Sequence, residues 1–116
     1  MESITSESII SSIKKTIEQR QILSPDRWVN AGVMLTAFLG LENDKYAELY
    51  QKAHKTAYET IQEGKTIGEA DLKMKSSIEY MEMLKQKGKV EQIMEMIRLA
   101  KIRATLADQE IPLSEV

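Results

Sequence analysis

The chain has no cysteine, two prolines, five glycines and one histidine in 116 residues. Without cysteine there are no disulfides, no thiolate nucleophile and no thiolate metal ligand, and the composition is compatible with a reducing compartment. The single histidine, His54, falls short of zinc or iron sites built on several imidazoles or thiolates. Di-iron bundles place Glu-x-x-His on two helices, and the residue three before His54 is Gln51. No metal and no cofactor are therefore expected.

Long apolar runs are also missing. No stretch approaches the roughly 20 residues that span a bilayer, so no membrane partner is expected. Met1-Glu2-Ser3-Ile4 lacks a basic segment followed by an apolar one. A secretory signal is not expected there, and the cytoplasm is the expected location. Charge of one sign is lacking as well, since 16 basic and 18 acidic residues leave a net charge of −2. The bulk charge points to neither nucleic acid nor a membrane surface, although a local basic face is compatible with it.

What remains is helix-forming material. Apolar residues make up 42%, charged residues 29% and aromatics 5%. That mix suits amphipathic helices with wet outer faces better than a sandwich or barrel. The expected fold class is all-α, a four- or five-helix bundle with a C-terminal antiparallel helical hairpin. Residues 1–116 are expected to form a single helical domain, with 1–5 and 108–116 frayed.

The first helix is expected from about Ser6 to Leu23, with Ile9, Ile10, Ile13 and Ile17 at helical spacing. Ser24-Pro25-Asp26 is a start signal: a capping hydroxyl, a proline pre-set for the first turn and an acid at the positive helix end. The helix after it, to about Gly40, carries Trp28, Val29, Val33, Met34, Leu35, Phe38 and Leu39 on more than one face, as a central helix would. Asn43-Asp44 is expected to cap a third helix over about Lys45 to Glu63. Gly64 suits a left-handed stop, and Thr66-Ile67-Gly68-Glu69 fits a capping box. A fourth helix follows from about Ile67 to Gln86 and a fifth from about Lys89 to Ala107. Lys85-Gln86-Lys87-Gly88-Lys89 contains no apolar side chain, and the Met74-Ile78-Met81 line extends onto Lys85, Gly88 and Glu95. The favoured reading is an antiparallel turn near Gly88, with Met81 facing Met94 and Ile78 facing Ile97. The alternative is one helix of about 40 residues through Gly88.

No catalytic residue is singled out, and no enzyme activity is expected. No serine sits in a nucleophile-elbow context. Gly64-Lys65-Thr66 resembles the end of a phosphate loop, but position 59 holds Glu59 instead of glycine, and a helix stop followed by a cap explains all three residues. The carboxylates alternate with basic residues at helical spacing, as Glu48 does with Lys52, which solvated faces explain.

Three surfaces compete as the functional site. Met81, Met83, Met94 and Met96, with a second apolar line of Leu99, Ile102 and Leu106, are the expected protein-binding surface. Methionine adapts its shape to partners, though it also fills cores. The second line runs beside Ile93, Ile97 and Ala104, and one antiparallel neighbour cannot cover both. Either the Trp28 helix covers the second line or another subunit does; self-association is the favoured reading, alongside a protein partner of unknown identity. From Lys73 to Arg103 there are eight basic and four acidic residues. Lys85, Lys87, Lys89, Arg98, Lys101 and Arg103 would contact phosphates if the protein binds nucleic acid, and a solvated turn is the structural alternative. Tyr46, Tyr50 and Tyr58, with His54 between them, could stack on a base or nucleotide. Packing with hydroxyls at the edge is the alternative for that stripe.

From Tyr46 to Tyr80 the order is a Tyr-rich helix, Gly64-Lys65-Thr66, then Glu69-Ala70 and a Lys/Ser/Tyr helix. This stretch resembles small helical accessory proteins of bacteriophage and prophage replication and recombination regions. The resemblance implies a phage-type setting in a host cytoplasm. Its implied roles are nucleic-acid binding, assistance to recombination or replication enzymes, or inhibition of host factors. It assigns no functional residue. The expected function is that of a non-enzymatic helical adaptor or inhibitor, with a DNA- or RNA-binding accessory protein and a small-ligand (nucleotide) capture protein as alternatives.

Overall fold

A computed structural model describes residues 4–21 and 23–114, with side chains as far as residue 107. Among the described residues there are four helices and no strand. They are α1 (Ser6–Glu18), α2 (Pro25–Gln62), α3 (Ile67–Lys75) and α4 (Ile78–Ser114). The all-α class expected from composition is the one observed.

The ends of the short helices follow from local chemistry. Thr5 caps α1 through a reciprocal box: its hydroxyl accepts from the Ser8 amide at 3.1 Å, and the Ser8 hydroxyl accepts from the Thr5 amide at 3.0 Å. Beyond α1, Arg20 takes a left-handed φ of 53° and turns the chain away from the helix axis. Gly64 does the same after α2 with a φ of 90°. The Thr66 hydroxyl then accepts from the Glu69 amide at 3.1 Å and opens α3.

The chain divides into two compact units. Unit 1 comprises Met1–Gly40 and Gln92–Val116, and unit 2 comprises Leu41–Glu91. In unit 1, Ile10 and Ile13 of α1 are buried with Trp28 and Leu35 of α2 and with Ile93, Ala100 and Ala107 of α4. In unit 2, Ala53 of α2, Met74 of α3 and Met83 of α4 form the core, with Tyr46, Leu49, Ala57 and Tyr80 packed around them.

Four expected helix boundaries are overturned. The first helix ends at Glu18 and not at about Leu23, with Arg20 in the left-handed region just beyond it. No turn forms at Gly88: α4 runs unbroken through it, so the single-helix alternative describes this region. Nothing breaks α2 between Gly40 and Lys45 either, and the two helices expected there are one. The fourth helix expected over about Ile67 to Gln86 is instead interrupted at Ser76-Ser77. There the Ser77 hydroxyl accepts from the Tyr80 amide at 3.2 Å and starts α4. The ends expected to fray are only partly described: 1–3 and 115–116 lie outside the described residues, and 108–114 are described as helical backbone alone.

The physical reason for both continuous helices is a stripe with a seven-residue repeat. On α2 the positions Trp28, Gly32, Leu35, Leu39, Glu42, Tyr46, Leu49, Ala53, Thr56 and Thr60 alternate steps of four and three, and all are buried or half-buried. On α4 the same is true of Met83, Gln86, Val90, Ile93, Ile97, Ala100, Ala104 and Ala107. This is the pattern of paired, coiled-coil-like helices. Interior glycines cost a helix about 1 kcal/mol each, and burial along such a stripe outweighs that cost. The Met74, Ile78 and Met81 line is not the buried one, because Ile78 and Met81 are exposed. Followed backwards from Val90, the buried line passes through Gln86 to Met83 without changing phase.

Candidate interaction surfaces

The methionines expected to converge do not. Met83 is buried at 5% exposure in the core of unit 2, and Met96 packs against the core of unit 1. Met81 and Met94 are exposed, but they sit thirteen residues apart on one unbroken helix and cannot face each other. Likewise, Ile78 does not face Ile97. The second apolar line is divided in its fate. Leu99 packs on the unit 1 core, whereas Ile102 and Leu106 remain exposed.

The basic cluster loses its tip along with the turn. Lys85 and Lys87 are exposed mid-helix residues of unit 2. Arg98 pairs with Glu95 at 2.8 Å, and Lys101 and Arg103 are exposed in unit 1. Lys89 is drawn inward, with its ammonium 3.2 Å from the Glu42 carboxylate.

The tyrosine stripe is partly structural. Tyr46 packs against the unit 2 core. The rings of Tyr46 and Tyr50 are 6.1 Å apart and tilted, and Tyr50 stacks on His54 at 3.9 Å. His54 Nδ1 lies 2.9 Å from the Tyr50 carbonyl. A carbonyl only accepts, so Nδ1 carries the hydrogen. The Tyr58 hydroxyl accepts from the Gln62 amide at 2.8 Å. One face of the Tyr50 ring is therefore already occupied by a neighbour on the same helix. Gly64-Lys65-Thr66 is accounted for by the left-handed stop at Gly64 and the cap at Thr66.

Two features were not anticipated from the sequence. The first is an open groove of about 520 Å³ in unit 1. Val29, Gly32, Val33 and Thr36 of α2 form one wall, and Ile97, Lys101, Ala104 and Thr105 of α4 form the other. Val29 and Val33, one turn apart, are 52% and 64% exposed. Lys101 is the only charged side chain lining the groove among the described residues.

The second is a buried polar layer in unit 2. Glu42, 5% exposed, sits within the apolar stripe of α2. Gln86 Nε2 donates to Glu42 Oε2 at 2.6 Å and to the Glu42 carbonyl at 2.9 Å. Lys89 approaches the carboxylate at 3.2 Å and Lys45 at 3.6 Å. Burial on its own would raise this carboxyl's pKa. The hydrogen bonds from Gln86 and Lys89, with the charges of Lys89 and Lys45, outweigh it and hold the group below the usual glutamate value. A signal for this layer exists in the sequence: Glu42 and Gln86 are the positions where a charge or an amide interrupts the seven-residue stripes.

Among the described residues no group of three or more His, Asp or Glu side chains is placed to hold a metal ion, and no helix is long and apolar enough to cross a membrane. No family model, curated protein or solved structure matches the chain.

Proposed function

We propose that the protein is a non-enzymatic helical adaptor or inhibitor that acts through protein–protein contact, and that a second copy of itself docks on the open side of unit 1. The observation that carries this reading is the exposure of Val29 and Val33 along the groove between α2 and α4. Trp28, Leu35 and Leu39 of α2 pack in the unit 1 core, whereas Val29 and Val33 stand beside the buried stripe, in water at the mouth of a groove with small residues, Gly32 and Ala104, in its walls. Small residues let another helix approach closely, and apolar walls with one cation suit an amphipathic helix that carries a carboxylate. The phage-type setting implied by residues 46–80 belongs to the same proposal, with the bound chain then either a second copy or a host or phage protein.

Light scattering on a sizing column, at several concentrations, tests it. The native chain should run above the single-chain mass as concentration rises, and Val29→Glu/Val33→Glu should return it to that mass without loss of helix. A native chain that stays single at every concentration would remove self-association from the reading. The nucleic-acid alternative now has less support, because Lys89 is engaged in the polar layer and no basic tip exists.

A further inference from the structure

We infer that the Glu42–Gln86–Lys89 layer is a register lock: it selects one alignment of α2 against α4 in unit 2 from several that the apolar stripes alone would permit. The argument starts from the repeat. A stripe that recurs every seven residues nearly matches itself after a slip of seven, so apolar packing discriminates poorly between neighbouring registers. In unit 2 the two helices run antiparallel, since Glu42 meets Gln86 and Lys89 while Ala53, further along α2, shares its core with the earlier Met83.

Each one-heptad slip has a definite cost at Glu42. Moving α4 one way puts Glu79 where Gln86 stands and Glu82 where Lys89 stands. Two carboxylates would then face a buried third. Moving it the other way puts Ile93 and Met96 in those places. The Glu42 carboxylate would then keep only Lys45, from its own helix, and lose every donor on α4. A buried polar group left unmet costs about 1–3 kcal/mol, more when charged. Only the observed alignment supplies an amide and an ammonium. A single polar residue in an apolar seam sets register in this way at some expense of stability.

The chain has no cysteine, so engineered pairs report alignment cleanly. Leu49 and Met83 share the unit 2 core, and Val90 is one heptad beyond Met83. Under mild oxidation, Leu49→Cys/Met83→Cys should crosslink in the native background, and Leu49→Cys/Val90→Cys should not. Adding Glu42→Leu/Gln86→Leu removes the charge and the amide from the two stripes and lets Ile93 replace Gln86 without penalty. In that background the Leu49→Cys/Val90→Cys crosslink should form about fivefold faster or more, the factor that corresponds to the low end, about 1 kcal/mol, of one unmet buried group. Circular dichroism should show helix retained. The lock is overturned if the apolar background still crosslinks only through Leu49→Cys/Met83→Cys, because the connections and core then set the register. It is also overturned if that background loses its helix, because the layer would then be holding unit 2 together instead of choosing its alignment.

Discussion

Gln86 holds Glu42 at two points, donating to its carboxylate at 2.6 Å and to its main-chain carbonyl at 2.9 Å. One amide of α4 thereby fixes both the side chain and the backbone of one α2 residue. Removing the acceptor alone, with Glu42→Ala, leaves the Gln86 amide unmet against a hole and takes one carboxylate from Lys89. Because Lys89 retains partial access to water, the expected loss is about 1–3 kcal/mol. It is read as a lower urea midpoint with an unchanged slope.

The same carboxyl should make stability depend on acid. Its folded-state pKa lies below the usual glutamate value. A group of that kind contributes in full above its unfolded value, about 4.3, and its contribution fades as pH falls from there through the folded value. Urea unfolding of the native chain at pH 6 and pH 3 should therefore show a drop that Glu42→Gln reduces. Equal drops in both proteins would contradict the assignment.

Gly88 distinguishes a continuous helix from a turn. An added Cβ there meets nothing within 4 Å, and its φ is not positive. Gly88→Ala should stabilise the protein by about 0.5–1 kcal/mol. Gly64→Ala should destabilise it by about 1–2 kcal/mol, because position 64 needs a φ of 90°. Melting temperatures moving in opposite directions are the expected result.

Two residues apart on α2, Leu35 and Val33 should respond differently to truncation. Leu35 is fully buried in the unit 1 core, and Val33 faces the open groove. Leu35→Ala should cost about 2–5 kcal/mol. Val33→Ala should change stability by less than about 0.5 kcal/mol, while weakening self-association on the sizing column. Denaturant titration and light scattering separate the two effects.

The helical class and several starts and stops, where a side chain acts on its own neighbours, are legible in the sequence, although the start of α4 at Ser77 and the end of α1 at Glu18 are not. Thr66 before Glu69, Pro25 after Ser24 and the left-handed glycine at 64 all operate within four residues of chain, so their spacing alone is diagnostic. Tertiary structure decided the rest. Gly40, Asn43-Asp44 and the lysines around Gly88 resemble breaks because each weakens an isolated helix, but the partner helix across the seam supplies the compensating burial. Glu42 looks like one more solvated acid until Gln86 and Lys89, more than forty residues away in the chain, are brought against it. Local backbone signals are short-range and travel with the sequence. Which polar groups are dry, and which apolar ones remain wet, depends on what lies opposite, and only the folded chain determines that.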